Sequence, residues 1–149
     1  MTTRFQRQLE ELHVQMITMG SLCEKVISLA TKAIQGEDCI RQVFDTDKEI
    51  DGKEREIEDL CMRLLLHQQP VAGDLREISA ALKMISDMER IGDQAADIAD
   101  LAQFIEDNNV KIPVLIEKMA EMTTKMVSES IDAFVKSDLV LCRQVIDND

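Results

Sequence analysis

The chain has 149 residues, 45% of them hydrophobic, with two Pro, five Gly and a formal net charge of −12. It has no Trp or Tyr and only four Phe, whereas nine Met accompany many Leu, Ile and Ala, so we expect helices packed on helices rather than a sheet. The negative charge argues against a nucleic-acid groove, and the absence of a signal-peptide core or a long apolar run argues against membrane insertion. We therefore expect a cytoplasmic protein whose partners are cations or basic protein surfaces.

Apolar stripes at three- and four-residue steps predict long helices along most of the chain. The expected bounds are Thr3 to Gln35 with a stop at Gly36, Ile40 to about Gln69, the Ala72 to Leu75 region to about Glu106, and a fourth helix opened by Pro113. Three long helices joined by short turns predict an all-α, antiparallel three-helix bundle.

The fourth helix repeats the pattern of the first helix at an offset of 100 residues. The matching pairs are 25–28 (KVIS) with 125–128 (KMVS), Met19 with Met119, Ala33 with Ala133, and, after a loop expected to be two residues longer, 41–47 (RQVFDTD) with 143–149 (RQVIDND). We predict a first three-helix repeat over residues 1–107 and an incomplete second repeat over residues 108–149, part of a two-repeat protein of about 210 residues. Chance similarity between amphipathic helices is the alternative.

Carboxylates follow one another at four-residue steps on two of the predicted helices. Glu89, Asp93 and Asp97 span about 80° of the third helix, and Asp47 and Asp51 have the same spacing on the second. Like charges on one strip repel each other unless water or a cation compensates. Because oxygen ligands suit hard or borderline divalent ions, these five residues form the predicted metal site.

A solvated acidic face is the alternative to this metal site, since acidic pairs are common in such a chain. The third helix would then bury a second apolar stripe, formed by Met84, Met88, Ile91, Ala95, Ile98 and Ala102. Against this, Asp47, Glu54 and Glu89 occupy positions on predicted buried stripes, where a carboxylate needs a partner.

No motif indicates catalysis. Glu10 and His13 have the spacing found in di-iron bundles, but no second pair accompanies them, and His67 is interpreted as a helix-terminal residue. The four Cys are widely spaced and are interpreted as reduced core residues. At Gly92 the missing side chain is expected to let another helix approach closely.

Residues 67–76 (HQQPVAGDLR) followed by 87–93 (DMERIGD) resemble the signature of the PhoU family of bacterial phosphate-signalling regulators, and the resemblance extends over all 149 residues. It implies a cytoplasmic, all-helical, non-enzymatic adaptor built from two three-helix repeats. Such an adaptor connects the ATPase subunit of the phosphate ABC transporter to a phosphate-sensing histidine kinase and represses the phosphate-starvation response when phosphate is ample.

The resemblance also implies metal binding at Glu89, Asp93 and Asp97, and at Asp47 and Asp51, with Fe, Zn, Ni, Mn or Mg as candidate ions. Most of the second repeat of the family is absent from this chain, which leaves a face of the fourth helix uncovered and favours a homodimer or helix exchange between chains. A purely structural helical module and a carboxylate-bridged metal-dependent enzyme are the alternative functions.

Overall fold

The computed structural model describes residues 3–67 and 70–149, which form five α-helices and no strand. The helices are α1 (Arg4–Ile34), α2 (Ile40–His67), α3 (Ala72–Asp107), α4 (Leu115–Lys136) and α5 (Leu139–Asn148). The predicted all-α fold is confirmed, and the predicted helix bounds agree to within two residues, except that the end near Gln69 lies outside the described residues. Within the described ranges, no helix is long and apolar enough to cross a bilayer.

Local capping explains where α1 begins and ends. The Thr3 hydroxyl accepts a hydrogen bond from the Gln6 backbone N–H, and the Gln6 side chain accepts one from the Thr3 N–H, which satisfies two free donors of the first turn. After the last turn, Gly36 takes a φ of +97°, a conformation that side chains disfavour, and so ends the helix where the sequence predicts.

Helices α1, α2 and α3 pack against one another as the predicted three-helix bundle. The predicted stripe of α1 is buried along nearly its whole length, and burying each large apolar side chain contributes about 1.5–3 kcal/mol. The buried hydrophobic residues of α1 and α2 are Leu12, Met16, Met19, Cys23, Val26, Ala30 and Ala33, and Val43, Ile50, Ile57, Leu60, Cys61 and Leu64.

The apolar residues at helical spacing in the first half of α3 are buried only in part. Ile78 and Ile85 are buried, whereas Leu82 is half-buried against the core and Leu75 is 45% exposed. Small residues form much of the buried face at three- and four-residue steps, and they let α3 lie close to its neighbours. The buried positions are Ile78, Ala81, Ile85, Met88, Gly92, Ala95, Ala96, Ala99 and Ala102.

Helix α4 packs on the outside of the bundle against α1, and α5 packs against α4. At Gly20 an added Cβ would lie 2.9 Å from Ile131 Cγ1, so the two helices approach closely there. The ring of His13 packs edge-on against Phe134, with centroids 5.8 Å apart, and its Nε2 pairs with Glu77 rather than with Glu10.

The connection between α4 and α5 is residues 137–138, shorter than residues 35–39 between α1 and α2. The predicted longer loop is therefore wrong: α4 continues two residues beyond the position that matches the end of α1, so the added residues are helical.

All four cysteines are free, and Cys23, Cys39 and Cys61 are buried. Burial raises the pKa of the Cys23 thiol to about 12 and that of Cys61 to about 11, which makes both poor nucleophiles. Cys142 is only half-buried because α5 buries no residue, so its interpretation as a core residue is wrong.

Candidate metal centre

Helices α2 and α3 bring three carboxylates together. Asp47 and Asp51 lie one turn apart on α2, Asp93 faces them from α3, and one carboxylate oxygen of each lies within 4.8 Å of the other two. Two oxygens bound to one ion at 2.0–2.6 Å are separated by at most about 4 to 5 Å. The three side chains are therefore spaced to bind a single hard cation. Around the smaller ions, their carboxylate oxygens would lie slightly closer together.

The close approach of the two helices depends on Gly92. A Cβ at this position would lie 2.6 Å from Asp47 Oδ1 and 3.2 Å from Ile50 Cδ1. The prediction that another helix approaches closely at Gly92 is confirmed, and that helix is α2. The same contact places the neighbouring Asp93 beside Asp47.

Three carboxylate oxygens in this region are buried and have no hydrogen-bond partner among the described atoms: Asp47 Oδ1, Asp51 Oδ1 and Glu54 Oε2. These three residues also form no ion pair within the described residues. A buried acceptor without a partner costs about 1–3 kcal/mol, and more when it is charged. A bound cation would remove this cost, so the donor set fits a metal ion.

Burial and mutual repulsion change the acidity of the α2 carboxyls. The pKa of Asp47 is raised to about 6, first by burial and then by the charges of Asp51 and Asp93, with a further hydrogen bond to Asp93. The pKa of Glu54 is also raised, by burial and by the charges of Glu58 and Asp51. Near neutral pH, ionisation of these carboxyls therefore lowers the stability of the folded chain.

Glu89 joins the cluster from α3. Its pKa is raised to about 7, chiefly because its protonated carboxyl donates a hydrogen bond to Asp93, and then by burial and by the charges of Asp93 and Glu54. Asp93 therefore links Glu89, one turn earlier on its own helix, to Asp47 on α2.

Of the five predicted metal ligands, the structure brings Asp47, Asp51 and Asp93 together and places Glu89 beside Asp93. Asp97 is exposed and acts on the cluster through the effect of its charge on Asp47. Glu54 belongs to the same region, although it was not among the five predicted ligands. Its position one turn after Asp51, on the buried stripe of α2, was the feature of the sequence that indicated it.

Comparison with known proteins agrees with this architecture. A sequence model of the PhoU domain matches residues 16–102, which is more than half of the chain. The chain belongs to the PhoU family. It is 38% identical over 146 residues to the phosphate-specific transport system accessory protein PhoU homolog of Aquifex aeolicus, covering 96% of the chain and 66% of that protein.

Two further relatives support the assignment. The phosphate-specific transport system accessory protein PhoU of Escherichia coli is 32% identical over 139 residues, covering 91% of the chain and 58% of that protein. The crystal structure of PhoU from Pseudomonas aeruginosa superposes with a TM-score of 0.87 at 33% identity, over 95% of the chain and 69% of that structure.

The chain thus spans less than two thirds of the length of these Aquifex and Escherichia relatives. Their names describe accessory proteins and not enzymes, in agreement with the expectation of a non-enzymatic protein.

Proposed function

We propose that this chain is a cytoplasmic regulatory adaptor of phosphate homeostasis, which acts on phosphate ABC transport and represses the phosphate-starvation two-component response. Support comes from its relatives, which are named as accessory proteins of the phosphate-specific transport system. The proposed partners are the ATPase subunit of the transporter and the phosphate-sensing histidine kinase. We also predict a homodimer, and light scattering of the purified chain tests this by measuring its oligomeric state.

The proposal includes metal binding by Asp47, Asp51 and Asp93, with Glu54 and Glu89 completing the site and Asp97 adding charge from outside it. The observation that carries this part is the set of three buried carboxylate oxygens without partners. Oxygen ligands leave Fe, Mn, Mg, Zn and Ni as candidates, with the harder ions favoured. A bound ion would join α2 to α3 and offset the repulsion between them.

Elemental analysis by mass spectrometry tests the metal site. The chain is purified without chelator or metal-affinity resin and is compared with an Asp47→Asn/Asp93→Asn variant and with Asp59→Asn, which changes an exposed carboxylate of α2 outside the cluster. Near-stoichiometric metal in the native chain and in Asp59→Asn, lost in the double variant, is expected. Equal metal content in all three proteins would contradict the assignment.

The regulatory part is tested in cells by a reporter of the phosphate-starvation response. Deleting the gene for this chain is expected to release repression at high phosphate, and the native gene is expected to restore it. Binding of the purified chain to the transporter ATPase and to the cytoplasmic part of the kinase is measured in parallel. A chain that binds neither protein and restores no repression would contradict the adaptor role, whatever its metal content.

A further inference from the structure

Half of the arginines in the chain lie at one end of the three-helix bundle. Helices α1 and α3 begin at this end and α2 ends there, because the three helices pack on one another and alternate in direction. Residues 3–9, 60–66 and 70–76 contain four of the eight arginines and none of the nine lysines. We call these four exposed residues the basic pole: Arg4, Arg7, Arg63 and Arg76.

The basic pole carries positive charge that the chain itself does not neutralise. Asp74 is the one acidic residue in these three ranges, so this end has a formal charge of +3, against −12 for the whole chain. None of the four arginines forms an ion pair with another residue that the structure describes. The N-termini of α1 and α3 add partial positive charge at the same end, and the first turn of α1 has no acidic residue to offset it.

Exposed apolar side chains lie in the same turns as the arginines. Met62 precedes Arg63 along α2, and Leu75 precedes Arg76 along α3. The exposed fractions are 44% for Met62, 73% for Leu66, 68% for Val71 and 45% for Leu75. Arg and Met are enriched in the cores of protein interfaces, whereas Lys is depleted there. The composition of this end is therefore typical of a surface that contacts another protein.

The packing of α4 against α1 does not reach the basic pole. The two helices run antiparallel, with contacts between Gly20 and Ile131 and between His13 and Phe134. Helix α4 ends at Lys136, about 3 Å along its axis beyond Phe134, whereas Arg7 and Arg4 lie about 9 and 14 Å beyond His13. The basic pole thus consists of the ends of α1, α2 and α3 alone.

We propose that the basic pole binds an acidic amphipathic segment of another protein, in which Asp or Glu side chains lie beside apolar ones. A guanidinium group donates two parallel hydrogen bonds to one carboxylate, which a lysine ammonium group does not. Anionic lipid headgroups attract Lys and Arg alike, so the use of arginine alone favours protein carboxylates over a membrane. This inference deepens the proposed adaptor function, and it rests on that function only for the identity of the partner.

A synthetic peptide tests the basic pole without a natural partner. The labelled probe is a helical peptide of about 18 residues, with Glu and Leu on one face and Ala and Gln elsewhere, titrated with the full chain by fluorescence anisotropy. We expect saturable binding that weakens as salt is raised. Arg4→Glu/Arg7→Glu is expected to weaken binding at least tenfold, and acidic residues near a helix N-terminus favour the fold of this variant.

Two further variants separate the basic pole from net charge and from misfolding. Arg41→Glu/Arg143→Glu makes the same change in net charge at exposed positions of α2 and α5 outside the basic pole, and it is expected to weaken binding less than threefold. Arg63→Gln/Arg76→Gln is expected to weaken binding at least fivefold. Circular dichroism is measured for every variant, and the helical signal of the native chain is expected in each.

Three results would overturn the proposal: no saturable binding of the peptide, equal binding of a peptide with Lys in place of Glu, or equal loss in Arg4→Glu/Arg7→Glu and Arg41→Glu/Arg143→Glu. Sedimentation with phosphatidylglycerol vesicles, lost in Arg4→Glu/Arg7→Glu, together with no peptide binding, would assign the basic pole to a membrane and also overturn it. If neither the transporter ATPase nor the kinase binds the native chain, the adaptor function fails, whereas the peptide titration still decides the role of the basic pole.

Discussion

At the scale of single residues, Gly92 couples helix packing to the carboxylate cluster. In Gly92→Ala the new methyl group would displace the Asp47 carboxylate, whose Oδ1 lies 2.6 Å from the Cβ position. Asp47 is flexible at its end, and Ala favours the helix by about 1 kcal/mol over Gly. We therefore expect a change of less than about 1 kcal/mol in the free energy of unfolding but a loss of about tenfold or more in metal affinity, measured by denaturant titration and calorimetry.

Gly52→Ala is the matched control for this prediction, since a Cβ there meets nothing within 4 Å. It is expected to stabilise α2 by up to about 1 kcal/mol and to leave metal affinity unchanged. If Gly92→Ala bound metal as tightly as Gly52→Ala, Asp47 would not be a ligand.

The raised pKa values of Asp47 and Glu89 predict how stability depends on pH. An acid whose pKa rises on folding binds more protons in the folded state, so stability falls as pH rises from its unfolded to its folded pKa. For Asp47 the interval runs from 3.8 to about 6, and for Glu89 from 4.5 to about 7. The metal-free chain is therefore expected to melt on the order of 5 °C higher at pH 5 than at pH 8.

Thermal unfolding followed by circular dichroism in the presence of chelator measures this dependence. Asp47→Asn/Glu89→Gln is expected to raise the melting temperature at pH 8 and to reduce the difference between the two pH values. An unchanged difference would mean that other carboxylates, in a chain of net charge −12, dominate the effect.

At the scale of the helices, α4 and α5 are held by a smaller interface than α1, α2 and α3. In Gly20→Ala the added methyl group would lie 2.9 Å from Ile131 Cγ1, near the branch point of that side chain, so α4 must shift as a whole. We expect the packing of α4 on the bundle to become less stable by about 1–3 kcal/mol of free energy. Hydrogen exchange by mass spectrometry is expected to show faster exchange in α4 and α5 and no change in α2 and α3. Uniformly faster exchange in all helices would contradict this local effect.

The sequence predicted α1 well and α3 less well for a physical reason. In α1 the large apolar side chains lie on the buried face, so their spacing is sufficient to predict that face. In α3 the centre of the buried face consists largely of small residues such as Ala81, Gly92 and Ala99, while Leu75 and Ile98 lie toward solvent. Side-chain size therefore misleads where helices pack closely through small residues.

The same limit applies to the candidate metal centre. Four-residue spacing identified Glu89, Asp93 and Asp97 as one strip, but spacing along one helix does not determine which carboxylates meet those of another helix. The relative position of α2 and α3, set at the Gly92 contact with Asp47, brings Asp93 close to Asp47 and Asp51 and leaves Asp97 outside the cluster. Gly92 was the signal in the sequence for where the two helices meet.

At the scale of the whole molecule, nearly all of the core and all of the carboxylate cluster belong to α1, α2 and α3. Of the described residues in the main core, Ile131 is the one fully buried contribution of α4, and α5 buries none. Metal binding is thus expected to depend on these three helices and not on α4 or α5.

A chain of residues 1–107 tests this division and the predicted first repeat together. It is expected to fold with the helical circular-dichroism signal of three helices and to bind metal as the full chain does, because α2 and α3 are intact. Its melting temperature is expected to fall by about 10 °C, since α1 loses the packing of Ile131 and Phe134. Non-cooperative unfolding of this fragment would show that the bundle requires α4 and that residues 1–107 are not an independent repeat.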